Sequence, residues 1–163
     1  MITFGRVWGR VGESGKMLLT GTFSRAIDDK QRIAIPKRIR EELLRGDGHA
    51  LYVTPGTDRS LALYTEEVFA AMATRLAAAS PAEQDVRAFS RLFYSQAQRV
   101  EFDTQGRIRI PAELARLAQL QRDAILLGVF DHLEIWDPAQ WEQYLAERQD
   151  HYDEIAESAF RRT

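Results

Sequence analysis

The chain contains no cysteine. That excludes a disulfide framework, thiolate catalysis and cysteine-ligated metal, and it fits a reducing compartment. Histidine is scarce, and His49, His132 and His151 occur in separate segments without a His-x-x-x-His spacing, so no zinc-ligand pattern is present. Gly-x-Ser-x-Gly, P-loop and dinucleotide fingerprints are missing as well. Carboxylates are plentiful but fall into no motif that nominates a catalytic pair. The longest apolar stretch runs from Ala124 to Phe130 and is broken by Gly128, far short of the roughly 20 residues of a membrane-spanning helix. The chain also lacks an excess of basic charge: its net charge is -2, so the molecule as a whole is not a basic polyanion binder. These absences predict a soluble, non-enzymatic protein with no cofactor, no metal, no membrane partner and no small-molecule substrate.

A duplicated motif takes their place. Ile27-Asp28-Asp29-Lys30-Gln31-Arg32-Ile33-Ala34-Ile35-Pro36 is echoed 75 positions later by Phe102-Asp103-Thr104-Gln105-Gly106-Arg107-Ile108-Arg109-Ile110-Pro111. Both copies have an Asp, an Arg four residues on, then Ile-x-Ile-Pro, which reads as a turn feeding a short strand that stops at a proline. An Asp carboxylate accepts from backbone N–H groups about two residues ahead, so Asp28 and Asp103 suit the start of a tight turn. Gly106 can take a positive φ at little cost, whereas Gln31 in the first copy must pay for that conformation or avoid it. Beyond the turn, a period of two sets Ile33 and Ile35 on one face and Lys30 and Arg32 on the other. Ile108 and Ile110 stand likewise against Arg107 and Arg109. One face can enter a core while the other offers cations beside a turn.

The echo continues: Ala50-Leu51-Tyr52-Val53 is answered by Ala124-Ile125-Leu126-Leu127, and Leu61-Ala62-Leu63-Tyr64 by Leu133-Glu134-Ile135-Trp136. The offset drifts from 75 to 74 to 72, which places the deletions in loops. Each repeat then reads strand, turn, strand, short helix, strand, loop, strand, followed by a longer helix. In the first repeat the strands are expected over Gly21 to Ile27, Arg32 to Ile35, Leu51 to Thr54 and Leu61 to Tyr64. A short helix from Lys37 to Leu44 is stopped by Gly46-Asp47-Gly48.

Between the repeats the pattern turns helical, with Val68, Phe69, Met72 and Leu76 on one face and Val86, Phe89 and Phe93 turned inward as core. Ser80-Pro81-Ala82-Glu83 has the form of a capping box opening the second of these helices, and Asp137-Pro138-Ala139-Gln140 of one opening a terminal helix. Along that terminal helix Trp141, Tyr144, Leu145, Arg148, Tyr152 and Ile155 lie near one stripe, and Ser158 to Thr163 is expected to fray. The organisation is therefore 1–16, an amino-terminal extension; 17–65, the first repeat; 66–97, a helical linker; 98–137, the second repeat; and 138–163, a carboxy-terminal helix.

Charge is unevenly placed. Residues 17–46 carry a local balance of +3, and residues 137–163 one of -4. Cationic charge thus gathers around the first motif, and the tail is acidic.

The duplicated Asp-x-x-x-Arg turn at this spacing resembles the MraZ family of the AbrB-like superfamily, over roughly Met17 to the helix near Trp141. Gln31 departs from the small or turn-favouring residue usual there. The resemblance implies an α+β fold in which a duplicated AbrB-like swapped-hairpin β-barrel is flanked by helices. It also implies a homo-oligomeric ring and a cytoplasmic, nucleoid-associated transcriptional regulator that binds double-stranded DNA at direct repeats upstream of the division and cell-wall gene cluster. The motif arginine Arg32, with Lys30 and Arg25, becomes the central DNA candidate; Lys37 and Arg38 at a helix start are candidate phosphate contacts, and Arg107 and Arg109 are their second-repeat counterparts. Asp28, Asp103 and Gly106 are read as turn-forming. Against this stands a bland alternative, in which Asp28–Arg32 and Asp103–Arg107 merely pair within the hairpins. A ring-forming protein-interaction module and an antitoxin-like regulator are the competing functions.

Residues 1–16 carry neither signal-peptide character nor periodicity. Since Met17-Leu18-Leu19-Thr20-Gly21 looks like an amino terminus of the family, Met1 is read as an upstream misassigned start or an added extension. Its competitor is a basic arm in which Arg6, Arg10 and Lys16 touch phosphate.

Overall fold

The computed structural model describes residues 17–45 and 49–163. The extension 1–16 and the Gly46-Asp47-Gly48 helix stop lie outside the described residues. In chain order the elements are β1 (Thr22–Ala26), β2 (Arg32–Ala34), α1 (Lys37–Leu43), β3 (Leu51–Pro55), β4 (Leu61–Thr65), α2 (Glu66–Ala78), α3 (Gln84–Gln96), β5 (Gln98–Val100), β6 (Arg107–Arg109), α4 (Ala112–Leu117), β7 (Asp123–Val129), β8 (His132–Trp136), α5 (Pro138–Arg148), a 3-10 turn (Gln149–His151) and α6 (Tyr152–Phe160).

The order is mixed α+β, and the strands pair antiparallel throughout. Six form one sheet in the order β1-β7-β8-β4-β3-β5, and β2 pairs with β6 as a separate two-stranded ribbon. The pairing crosses the repeats: β1 lies against β7 of the second repeat, β5 against β3 of the first, and β2 against β6. The expected closure into a barrel is not made by these ladders, because β1 and β5 remain at the two edges of the sheet. The ribbon is short, with only three residues per strand, and meets the β1 edge through the single Ile27–Ile33 bridge; the prolines that end both motifs cannot donate to a ladder and stop the pairing there.

The alternation read in the sequence decides what the ribbon buries. Ile33, Ile108 and Ile110 are 0–1% exposed and Ile35 is 3% exposed. They pack into one cluster with Ile39 and Leu43 of α1, Leu51 and Val53 of β3, Leu61 and Leu63 of β4, Leu126 of β7, and Leu133 and Ile135 of β8. Each such side chain contributes about 1.5–3 kcal/mol by leaving water. The same burial fixes the strand register, since a one-residue slip would put the isoleucines outside and the arginines inside.

The helical linker packs on the other face of the sheet. Phe69 stacks on Tyr52 at a centroid distance of 4.3 Å and meets Phe93 at 5.8 Å, and Phe93, Tyr64 and Ala62 are buried with Val68 and Met72 around them. Phe89 departs from its expected place in the core, being 49% exposed. The Ser80-Pro81-Ala82-Glu83 box departs too: it forms a turn, with Ser80 Oγ accepting from Ala82 N at 3.3 Å and the Ser80 carbonyl from Glu83 N at 3.2 Å. The α3 helix starts only at Gln84, after the Arg87 guanidinium has taken the Pro81 and Ala82 carbonyls.

At the carboxy terminus Asp137 Oδ2 accepts from Gln140 N at 3.2 Å and caps α5. The box is not reciprocal, because the Gln140 side chain donates instead to Gln119 Oε1. Trp141 and Tyr144 pack on Trp136. The single terminal helix expected from the stripe is two helices broken by the 3-10 turn, and helical structure persists to Phe160 within the segment expected to fray. The stripe splits accordingly: its first half covers Trp136, while Tyr152 and Ile155 are exposed.

Candidate nucleic-acid interface

The two Asp turns are built alike. In the first, Asp28 Oδ1 accepts from Lys30 N at 3.0 Å and Arg32 N at 2.8 Å, and Oδ2 accepts from Arg32 Nε at 2.8 Å. In the second, Asp103 Oδ1 accepts from Gln105 N and Arg107 N, both at 2.9 Å, and Oδ2 from Arg107 Nε at 2.8 Å. Backbone bonds from Gln31 N to the Asp28 carbonyl, and from Gly106 N to the Asp103 carbonyl, close the loops. The backbone N–H of Arg32 does most to hold the Asp28 carboxyl below its ordinary range; the Arg32 side chain and the Lys30 N–H add to it against a counter-push from desolvation. Asp103 is held down in the same way, first by the Arg107 N–H.

Gln31 adopts a positive φ of 61°, beside 74° at Gly106. It therefore accepts the left-handed conformation that an L side chain disfavours by about 1–2 kcal/mol. The reason lies across the ribbon. Ile110 N donates to the Gln31 carbonyl at 2.8 Å, and Ile35 N to the Gly106 carbonyl at 3.1 Å. Each turn thus supplies the last ladder bond of the other repeat, and avoiding the strained φ would orphan a donor from a buried residue.

Antiparallel pairing brings the cations together. Arg32 stands opposite Arg109, Ile33 opposite Ile108, and Ala34 opposite Arg107. Directly opposed residues share a face, so Arg32, Arg107 and Arg109 all lie on the outward side of the ribbon while the isoleucines fill the core. Arg32 and Arg109 are like charges directly opposed, an arrangement that costs stability unless an anion covers it. Arg107 Nη1 also reaches Asp28 Oδ2 at 3.6 Å; no reciprocal pair joins Arg32 to Asp103 among the described residues. The Arg32 and Arg107 side chains are 28% and 24% exposed, and Arg109 is exposed.

The geometry accommodates both readings of the motif pair. A guanidinium has two hydrogen-bonding edges, and each carboxylate occupies the Nε edge of its own arginine. For Arg32 no Nη bond is made among the described residues, so the outer edge keeps its donors while the carboxylate holds the group in one orientation.

The remaining candidates lie around the ribbon. Lys30 is exposed at the first turn. Arg25 on β1 donates to the Ser24 carbonyl at 2.8 Å and lies over the Phe23 ring at 5.9 Å. Lys37 and Arg38 are exposed on the first turn of α1; Lys37 is 3.9 Å from Glu41, and Arg38 donates to the Thr20 carbonyl at 3.3 Å. Sequence reasoning missed Arg40. Its Nε donates to the Ile35 carbonyl at 3.1 Å, and its guanidinium occupies the space where a side chain at position 106 would begin. Nothing in the local pattern marks it, since the glycine it packs against belongs to the other repeat.

Elsewhere, no group of three or more His, Cys, Asp or Glu could hold a metal among the described residues, and no helix there is long and apolar enough to cross a membrane. A cleft of ≈ 400 Å³ lies between α2 and α3, and one of ≈ 360 Å³ between α5 and the Asp58-Arg59 turn; neither includes a ribbon residue.

Comparison with known proteins places these features in a family. The family described as "MraZ protein, putative antitoxin-like" matches twice, over residues 18–92 and 93–163. A "Transcriptional regulator MraZ" of Nocardia farcinica is 42% identical over 135 residues, covering 83% of this chain and 92% of that protein. Proteins of the same name from Thermomicrobium roseum and Alkaliphilus oremlandii are 44% identical (76% of this chain, 84% of theirs) and 39% identical (85% and 94%). With the duplicated Asp-x-x-x-Arg turn, the cross-paired repeats and the double match over nearly the whole described chain, this protein belongs to the MraZ family.

Proposed function

We propose that the protein is a transcriptional regulator that binds double-stranded DNA through the outward face of the β2–β6 ribbon. The observation that carries this reading is the opposed pair Arg32 and Arg109 beside Arg107, on a face whose other side is core. Three guanidiniums on a rigid two-stranded ribbon match an antiparallel strand pair entering a major groove, where arginine bonds phosphate or takes guanine O6 and N7 together. The Asp28 and Asp103 carboxylates pre-orient their arginines, which lowers the ordering cost of each contact. Lys30, Lys37 and Arg38 flank the ribbon as phosphate contacts, and Arg25 sits further out on β1. The names carried by the relatives support regulation of transcription.

The target we propose is a set of direct repeats upstream of the division and cell-wall gene cluster, including the protein's own gene. A patch of +3 binds weakly in one protomer; a homo-oligomeric ring presents it several times along repeated boxes, and linked weak contacts gain avidity without new chemistry. The fold we associate with this is the family's duplicated swapped-hairpin arrangement, which the reciprocal β1–β7 and β5–β3 pairings support. An interaction ring that captures a protein partner is the second reading, favoured by the exposed apolar residues of α6.

The test is a titration of the protein against its own upstream DNA and a scrambled duplex across a salt series, repeated with Arg32→Ala. The reading expects a steep salt slope, a clear preference for the upstream fragment, and loss of that preference in Arg32→Ala with the oligomer mass unchanged. The Asp28–Arg32 pair is partly solvated and contributes at most about 1 kcal/mol, so the variant folds. Equal, weak binding to both duplexes would make the ribbon cations structural.

A further inference from the structure

The β2–β6 ribbon has an approximate twofold that its residues break. The axis passes between Ile33 and Ile108, which stand opposite one another, and at the 75-residue offset it exchanges Arg32 with Arg107 and Ala34 with Arg109. Strict duplication would set the same outward pair at both ends. Instead the end beside the Asp28 turn carries Arg32 opposite Arg109, and the end beside the Asp103 turn carries Arg107 opposite Ala34.

A second asymmetry favours the same end. Arg107 is drawn between two carboxylates, with Nε 2.8 Å from its own Asp103 and Nη1 3.6 Å from Asp28. Arg32 meets only Asp28, through Nε, and the exposed Arg109 makes no side-chain hydrogen bond or ion pair among the described residues. The guanidinium donors left for a ligand therefore gather at the Asp28 end. Beyond the ribbon the contrast reverses. Lys37 and Arg38 follow β2 out at the Asp103 end, where Ile35 N bonds the Gly106 carbonyl, whereas their counterparts after β6 are Ala112 and Glu113.

Spacing sets what the Arg32–Arg109 pair can hold. Ile110 N bonds the Gln31 carbonyl and Ile35 N the Gly106 carbonyl, so the alternating ladder leaves Arg32 and Arg109 as a non-hydrogen-bonded pair, the kind whose Cα atoms are about 4.5 Å apart. Neighbouring bases along one strand are about 3.4 Å apart. Two guanidiniums side by side at this separation match guanines at adjacent base pairs, each O6 and N7 edge taking one guanidinium edge bidentately. We infer that the ribbon reads DNA from one end only: Arg32 and Arg109, one arginine from each repeat, take guanines at two adjacent base pairs, while Arg107 contacts no base and Lys37 and Arg38 hold phosphates at the other end. This rests on the DNA-binding reading of the ribbon and names the residues that set its specificity. A one-ended reader has a direction, which suits boxes repeated in one orientation.

The test titrates the full chain against its own upstream duplex, with the guanine at one position of every box replaced by 7-deazaguanine, which lacks the N7 acceptor. The wild-type protein loses affinity, by about 5-fold or more, at two adjacent base pairs of the box. Arg32→Ala becomes insensitive at one of them and Arg109→Ala at the other, while Arg107→Ala stays sensitive at both. Arg109→Lys keeps the charge without the fork, so it retains the salt slope and loses the sensitivity; it also stands in should the alanine variant fail to fold, which circular dichroism reports. Sensitive positions related by a twofold within the box would overturn the proposal, as would a position silenced by Arg107→Ala. So would the absence of any sensitive position in a fragment that still outcompetes the scrambled duplex. Each of these leaves the DNA-binding reading intact, whereas no preference for the upstream fragment sinks both.

Discussion

The two turns offer an internal comparison, because they make the same bonds with different residues at the strained position. Replacing Gln31 by Gly removes a left-handed φ of 61° from an L side chain, recovering about 1–2 kcal/mol. Glycine's extra freedom in the unfolded chain returns about 0.5–1 kcal/mol of that. Gln31→Gly is therefore expected to stabilise by about 0.5–1 kcal/mol, a rise in Tm of about 1–4 °C for a chain of this length. The opposite exchange is not its mirror image. Gly106→Ala keeps a φ of 74° and drives its Cβ into the Arg40 guanidinium, whose bond to the Ile35 carbonyl, worth about 0.5–1.5 kcal/mol, must be given up or strained. With the glycine term now returned to the folded side, we expect a loss of about 1–2.5 kcal/mol. In Arg40→Ala/Gly106→Ala the collision is gone, so the double variant should be more stable than the sum of the singles by about 1 kcal/mol, a coupling typical of residues in contact. Urea unfolding followed by circular dichroism, at one fixed protomer concentration, measures all four. If Gln31→Gly destabilises, or if the Arg40 and Gly106 substitutions simply add, then the strain at Gln31 or the cross-repeat contact has been misjudged.

Two further consequences concern stability. Ile108→Ala empties a site 1% exposed between the ribbon and the sheet and should cost about 2–5 kcal/mol; urea midpoints compared with those of the exposed Ala34→Ser, expected within about 0.5 kcal/mol of the parent, would check it. His132 holds its proton to higher pH than a free imidazole does. Burial disfavours its cation, but Glu134 and Asp131, whose Oδ1 lies 2.8 Å from Nδ1, more than offset this and raise its pKa above 6.5. A folded pKa above the unfolded one means that the stabilisation is complete below the unfolded value and is lost as pH rises through the folded one. Tm should accordingly fall as pH climbs above 6.5, and His132→Asn should flatten that slope; an unchanged slope would remove His132 from the account.

Much of the candidate site was legible in the chain because it depends on local rules. An Asp that reaches backbone N–H groups ahead of it, a period of two that separates Ile33 from Arg32, and a proline that stops each strand are effects within a few residues, and they recur 75 positions apart. The splitting of the terminal stripe was not legible, since a helical period reads the same whether its residues cover Trp136 or face outward.

The sequence alone determined that there are two turns, which residues of each strand enter the core, and that cationic charge gathers beside them. Only the tertiary structure decided that β2 pairs with β6 across the repeats, placing Arg32 opposite Arg109, and that Arg40 of the first repeat occupies the space beside Gly106 of the second. It also decided that Gln31 bears a strained φ because its carbonyl completes the other repeat's ladder. The division has one physical cause. Hydrogen-bonding reach and side-chain alternation are properties of adjacent residues, whereas the juxtaposition of like charges is tolerated only because burial of the isoleucines from both repeats, at about 1.5–3 kcal/mol each, outweighs it, and that burial exists only once the two halves have met.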